Sequence, residues 1–288
     1  MKKWFSLLFT LALVLVLAAC GGGNASQEEN KDTATNETKT TESAKQLVVG
    51  ATNVPHAEIL EEAKPLLEEK GIDLQIETFQ DYVLPNQALE SKDLDANFFQ
   101  HVEYFEGQMK DNGYDFANAG GIHIEPIGIY SKRYKTLEKV PNNAKVILSN
   151  SVADHGRVLA LLEKEGLITI KDGVDKAKAT IEDIAKNPKN LEFDPNYEAK
   201  LLPEIYDNDE GDLVIINSNY AMEAGINPMD DSIAIESAEN NPYVNIIAVR
   251  SGDENKEEIK TLVEVLRSKE IQDFILEKYK GAVVPVTE

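Results

Sequence analysis

Residues 81–107 read DYVLPNQALESKDLDANFFQHVEYFEG. Within them, LPNQALESKD (84–93) carries a proline near its start, which the first turn of a short helix tolerates. DANFF (95–99) reads as a strand, and EYFEGQMKDNG (103–113) returns to helical spacing. Phe98 and Phe99 are neighbours in the predicted strand, so they face opposite ways. One can fill a core while the other lines a cleft. Tyr82, Phe99, His101 and Tyr104 gather around the C-terminal ends of the second and third predicted strands. In open α/β sheets, ligands bind just outside those ends.

Working outward, QLVVGAT (46–52) and IDLQIETF (72–79) read as strands. Between them VPHAEILEEAKPLLEEKG (54–71) has helical apolar spacing, Gly71 as its cap, and Pro65 where a kink or break is expected. IHIEPIGIYS (122–131) reads as an extended crossing segment. The sum is βαβαβ, an α/β lobe with a mainly parallel sheet. A second series follows: strand AKVILSN (144–150), helix ADHGRVLALLEKEG (153–166), a helical YEAKLLPEIYD (197–207) interrupted by Pro203, and the apolar strand GDLVIIN (211–217). YVNIIAVRS (243–251) is a further strand, and residues 256–281 are two helices or one broken near Ser268. The expectation is an α/β, two-lobed fold with a hinged cleft, a usual place for small ligands. Lobe 1 takes residues 47–130 plus 240–288, and lobe 2 takes 131–239.

The N-terminus sets the compartment. Met1-Lys2-Lys3, an apolar run from Trp4 to Leu17, and small residues before Cys20 make a secretory signal over residues 1–19. The run is shorter than the roughly 20 residues of a spanning helix. Leu17-Ala18-Ala19-Cys20 resembles the bacterial lipobox, which makes Cys20, the only cysteine, a lipidated membrane anchor. The other reading is an ordinary signal peptide with an incidental cysteine. Residues 20–46 then form a polar tether that cannot bury enough apolar surface to order itself. The two lysines of the signal and the net −2 of the tether cancel, so the remainder keeps the full −22. That charge argues against nucleic acid and against a basic membrane-binding face.

Catalytic signatures are missing: there is no Gly-x-Ser-x-Gly, His-Glu-x-x-His, phosphate loop or dinucleotide glycine fingerprint. The four histidines, His56, His101, His123 and His155, include no i, i+4 pair. A divalent-metal receptor using His101 and His123 is the rival reading. The favoured one needs no metal and no cofactor.

FQDYVLPNQALESKDLDANFFQH (79–101), DLVIINSNYAMEAGINP (212–228), NPYVNIIAVRS (241–251) and YKGAVVP (279–285) together resemble the methionine-binding lipoproteins, the NlpA family of receptors for ABC importers. The resemblance runs in order through nearly all of residues 47–285. It implies a non-enzymatic, lipid-anchored receptor on the extracytoplasmic face of the cell membrane, binding methionine or a close analogue. Its partners would be a permease and that permease's ATPase. Tyr82, Phe99 and His101 match the family's side-chain pocket, with Tyr104 beside them. Arg157 matches the carboxylate-binding arginine, and Asn217 and Asn245 match polar positions around the head group. A planar guanidinium suits a carboxylate, and an aromatic slot suits a polarizable thioether. One departure stands out. Where the family reads Pro-Asn-Asp-Pro-Thr-Asn-x-Gly-Arg, this chain reads LSNSVADHGR (148–157), with Asp154 in place of an asparagine. Asp154 is either a helix cap or a charge facing the cleft. In the cleft it could reorient the amine or admit another ligand, such as D-methionine or a methionine dipeptide.

Overall fold

A computed structural model describes residues 44–286. The signal, Cys20 and most of the tether lie outside the described residues. Among the described residues, no helix is long and apolar enough to cross a membrane.

The chain begins a first sheet with β1 (Lys45–Thr52), helix α1 (Glu58–Glu69), β2 (Ile72–Phe79), α2 (Leu84–Glu90), β3 (Ala96–His101), α3 (Val102–Asn112) and β4 (Phe116–Ile124). It then crosses over and builds a second with β5 (Gly128–Tyr130), β6 (Lys145–Ser149) and α4 (Val152–Lys164). A small antiparallel pair, β7 (Thr169–Ile170) and β8 (Ile184–Lys186), is followed by β9 (Glu192–Tyr197), α5 (Leu202–Asp207), β10 (Leu213–Ile216), α6 (Ser218–Glu223), α7 (Pro228–Asp231) and β11 (Ala234–Ile235). The chain returns to the first sheet with β12 (Val244–Arg250), α8 (Glu257–Leu266), α9 (Lys269–Tyr279) and β13 (Val284–Pro285).

The first sheet has the order β13-β4-β12-β3-β1-β2 and the second β11-β5-β10-β6-β9. Only β1–β2 and β1–β3 are parallel in the first; β12 runs antiparallel to both β3 and β4. The sheet is therefore mixed rather than mainly parallel, because the strand beside β3 arrives from far along the chain. Residues 128–130, expected in the first lobe, pair in the second sheet with 214–216 and 234–235.

Both sheets are covered on both faces. Ile59 and Leu60 of α1, Leu262 of α8 and Ile275 of α9 pack with Val49 and Phe98 on one face of the first. Leu89, Phe105 and Ile246 fill the other. In the second, Val146 and Leu148 meet Val158 and Leu162 of α4, while Ile147 meets Leu202 and Tyr220 on the opposite face. The alternation along β6 is the period of two that lets one strand feed two cores.

Neither proline breaks its helix. α1 continues through Pro65, whose face is exposed, so water can satisfy the carbonyl one turn earlier. Pro203 sits in the first turn of α5, where its missing N–H costs nothing, and starts the helix instead of interrupting it.

Gly156 brings α4 close to its neighbour. A Cβ there would collide with the backbone of Ala177 and would lie 2.6 Å from the carbonyl oxygen of Lys176. Gly156→Ala should lower stability by about 1–3 kcal/mol through overpacking, read as a shifted urea midpoint. An unchanged midpoint would mean that the 176–177 turn yields freely.

Candidate functional site

The end of β3 and the start of α3 set the first wall. β3 is buried throughout, with Phe98 in the core and Phe99 on the cleft side, as their opposite facing requires. His101 caps α3: its Nδ1 accepts from the Tyr104 backbone N–H at 3.1 Å. That leaves Nε2 to donate to Asp154 Oδ1, 3.1 Å away on α4. Tyr82 reaches across to α6 and donates to Asn219 Oδ1 at 2.6 Å, while the Tyr104 hydroxyl donates to the Tyr82 carbonyl at 2.9 Å. The Tyr82 ring lies 6.1 Å from Phe99, 5.9 Å from Tyr104 and 4.9 Å from Tyr220, centroid to centroid.

The second wall comes from α4 and the end of β10. Asp154 is buried in the first turn of α4; the cap position belongs to Ser151. Its Oδ2 accepts from Asn217 Nδ2 at 3.3 Å. Burial raises the Asp154 pKa, but the His101 hydrogen bond and charge, then Arg157 and Asn217, outweigh it and hold the carboxyl below its ordinary value. Arg157 lies in the second turn of α4, which starts at Val152. It is 3% exposed. Burial works against its charge, but Glu236 and Asp154 more than compensate. Its Nε donates to Glu236 Oε2 at 3.1 Å, and its Nη2 donates to the same oxygen and to the Glu125 carbonyl. Tyr243 lies under the guanidinium at 4.7 Å. Nη1, 3.8 Å from Asp154, remains the uncommitted edge of the fork.

The structure brings all eight expected side chains together: Tyr82, Phe99, His101, Tyr104, Asp154, Arg157, Asn217 and Asn245 line one cavity. Its volume is about 30 Å³, space for one or two waters, so the walls are drawn together. It lies next to a wider mouth of about 770 Å³, to which Tyr82 and Tyr104 also belong. Gln100, Glu125, Ser218 and Asn219 line the cavity too and were not anticipated. Asn219 follows the apolar strand LVII two places after Asn217, and that spacing was the available signal. Two cavity-lining groups lack hydrogen-bond partners among the described residues: Asn217 Oδ1, an acceptor, and Asn219 Nδ2, a donor. The Ser218 hydroxyl donates to the Pro126 carbonyl, so no base activates it.

The remaining histidines divide. His155 Nε2 donates to the Ser149 carbonyl at 3.1 Å. His56 and His123 both approach Glu125, and His101 is not part of that group. Burial lowers His56 to about 4 and His123 to about 3, and it raises the Glu125 carboxyl.

Residues 47–287 match the family model described as NlpA lipoprotein. The chain belongs to the NlpA lipoprotein family. It is 50% identical over 293 residues to the methionine-binding lipoprotein MetQ of Bacillus subtilis, with all of both chains covered. Against the D-methionine-binding lipoprotein MetQ of Escherichia coli it is 38% identical over 239 residues, covering 83% of this chain and 86% of that one. Among solved structures, a nutrient binding protein from Burkholderia cenocepacia bound to methionine matches with a TM-score of 0.78 and 39% identity, covering 83% and 99% of the two chains. The two-lobed α/β fold expected from the sequence is the fold of this NlpA-family chain.

Asp154 gives the site a pH signature. Its folded pKa lies below the ordinary value of 3.8, so the unfolded chain takes up the proton first as pH falls. The stability it supplies is complete above that value and is lost as pH drops through the folded pKa. Asp154→Asn should cost about 1–3 kcal/mol at pH 7. The gap to the parent should shrink below pH 3.8, measured by urea unfolding across pH. A gap that stays constant would show that the charge is not what stabilises.

Proposed function

We propose that this chain is the lipid-anchored substrate receptor of an ABC importer for methionine or a close analogue, and that it catalyses no reaction. The observation that carries the reading is a guanidinium edge, an unpartnered acceptor and an unpartnered donor set beside an aromatic wall. A zwitterion buried between two lobes needs a partner for each charge. Arg157 Nη1 and Asn219 Nδ2 suit the α-carboxylate. Asp154 and Asn217 Oδ1 suit the ammonium, with Asn245 beside them. Tyr82, Phe99, His101 and Tyr104 take the thioether. The methionine-binding relatives support the choice of side chain.

Loading then works by closure. Residues 125–127 and 236–243 link the two sheets, and they are the hinge in this reading. Residues 45–124 and 244–286 move as one lobe, and residues 128–235 as the other. Contacts such as Tyr82 to Asn219 hold the closed form. Cys20 keeps the receptor beside the permease, and the cytoplasmic ATPase drives release into it. The substitution of Asp154 for asparagine favours ligands that present a free ammonium.

Calorimetry of the mature chain with L-methionine, D-methionine and methionine dipeptides tests this. Saturable heat is expected with at least one of them. Arg157→Ala should weaken that binding by about 10- to 150-fold, the loss of one charged hydrogen bond. An unchanged dissociation constant would remove Arg157 from the carboxylate site. No heat with any of the three would overturn the methionine reading.

A further inference from the structure

His56, His123 and Glu125 converge at a point that the ligand reading does not use. Glu125 Oε1 lies 2.8 Å from His123 Nε2 and 3.2 Å from His56 Nε2. One ligand atom from each of the three residues lies within 4.8 Å of the others, and all three are buried. Asn245 Oδ1 adds a fourth donor atom 3.2 Å from His56 Nε2. The Thr52 hydroxyl fixes the other His56 nitrogen at 2.8 Å, and Phe98 packs edge-on against both imidazoles.

We propose that His56 Nε2, His123 Nε2 and the Glu125 carboxylate form a site for one divalent transition cation of the zinc type. Two imidazoles and a carboxylate are a donor set that such cations take, with a fourth position left for another oxygen or nitrogen. Tetrahedral bonds of about 2.0–2.1 Å place donors roughly 3.3 Å apart. The observed 2.8 and 3.2 Å would open by only a few tenths of an ångström.

Among the described residues no lysine or arginine forms a salt bridge with the Glu125 carboxylate; Arg157 bonds its backbone carbonyl, pairs directly with Glu236 and Asp154, and acts on the Glu125 carboxylate only through space. A buried carboxylate without a cation must either hold its proton or acquire one. A dication supplies a direct countercharge once each imidazole carries its proton on Nδ1 rather than Nε2, a tautomer from which the Thr52 hydroxyl can accept at His56. Glu125 also lines the cavity between the lobes, which gives an ion a way in from the cleft. Because Glu125 opens the 125–127 crossing, a bound ion would tie that crossing to β4 and to the turn after β1.

The test uses the mature chain stripped with chelator, with no methionine present, so its outcome is separate from that of the methionine reading. Zinc is titrated calorimetrically, and cobalt(II) is the spectroscopic probe. One equivalent of zinc and a tetrahedral cobalt absorption band are expected, with a raised thermal midpoint. Glu125→Gln and His123→Gln should each weaken zinc binding at least tenfold. If either variant fails to fold, Glu125→Asp, which keeps the charge and shortens the reach, is expected to weaken it as well. No saturable binding would overturn the site. So would one equivalent bound with undiminished affinity by the variants, which would place the ion elsewhere.

Discussion

A guanidinium that is 3% exposed must be paired. Arg157 meets that requirement with groups from several elements. Glu236 comes from the second crossing, the Glu125 carbonyl from the first, and Tyr243 from the approach to β12. Glu236 Oε2 also accepts from the Ile127 backbone N–H at 3.2 Å. One carboxylate oxygen therefore joins α4 to both crossings. The charge that suits a ligand carboxylate is braced against the segments about which the lobes would turn, rather than against the body of either lobe.

The closed arrangement depends on polar contacts that a ligand can replace. His101 and Asn217 satisfy the two oxygens of Asp154, and Tyr82 satisfies Asn219. Each bond joins a group to an opposing wall or a neighbouring strand end, in a cavity of about 30 Å³. Separating them also parts Tyr82 from the cluster around Tyr220 and Met222 from the core of the first sheet, but leaves both main cores whole. Phe98, Val49 and Ile275 stay on the far face of their sheet, and Val158 and Leu162 stay under α4. Opening then costs a few hydrogen bonds that water can remake, each with a net contribution of about 0.5–1.5 kcal/mol.

What could be read in the sequence follows from this division. Local signals carried far: the apolar runs named β1, β2, β3, β6, β10 and β12, though not β4, β9 or the short strands, Ser268 marked the boundary between α8 and α9 and caps the second, and the Phe98–Phe99 pair split between core and cleft. All eight candidate side chains reach one cavity because strand ends and the following helix starts converge there. Non-local relations were harder to read. An apolar run does not state its direction, so β12 was not recognised as antiparallel to β3. Residues 128–130 reveal their sheet only through partners at 214–216 and 234–235. Glu125 was hidden in what read as a plain crossing segment, since its significance comes from His56, some seventy residues earlier. Asp154 carried two readings until its neighbours were known, because a first-turn acid and a cleft acid look alike in one dimension.

Charge in the cleft also limits what can enter. Glu236 and Asp154 flank a single guanidinium, and Glu236 is already bound to it. A zwitterion adds no net charge, and its ammonium relieves the crowding of carboxylates while its own carboxylate uses the free Nη1 edge. An acidic side chain would bring a further anion into a space with no second lysine or arginine on its walls. Desolvating that anion without a partner costs several kcal/mol, more than thioether–aromatic contacts of about 0.3–1.5 kcal/mol could distinguish by themselves. In the proposed reading the aromatic wall sets the shape of the side chain, while the carboxylates behind it exclude the wrong charge.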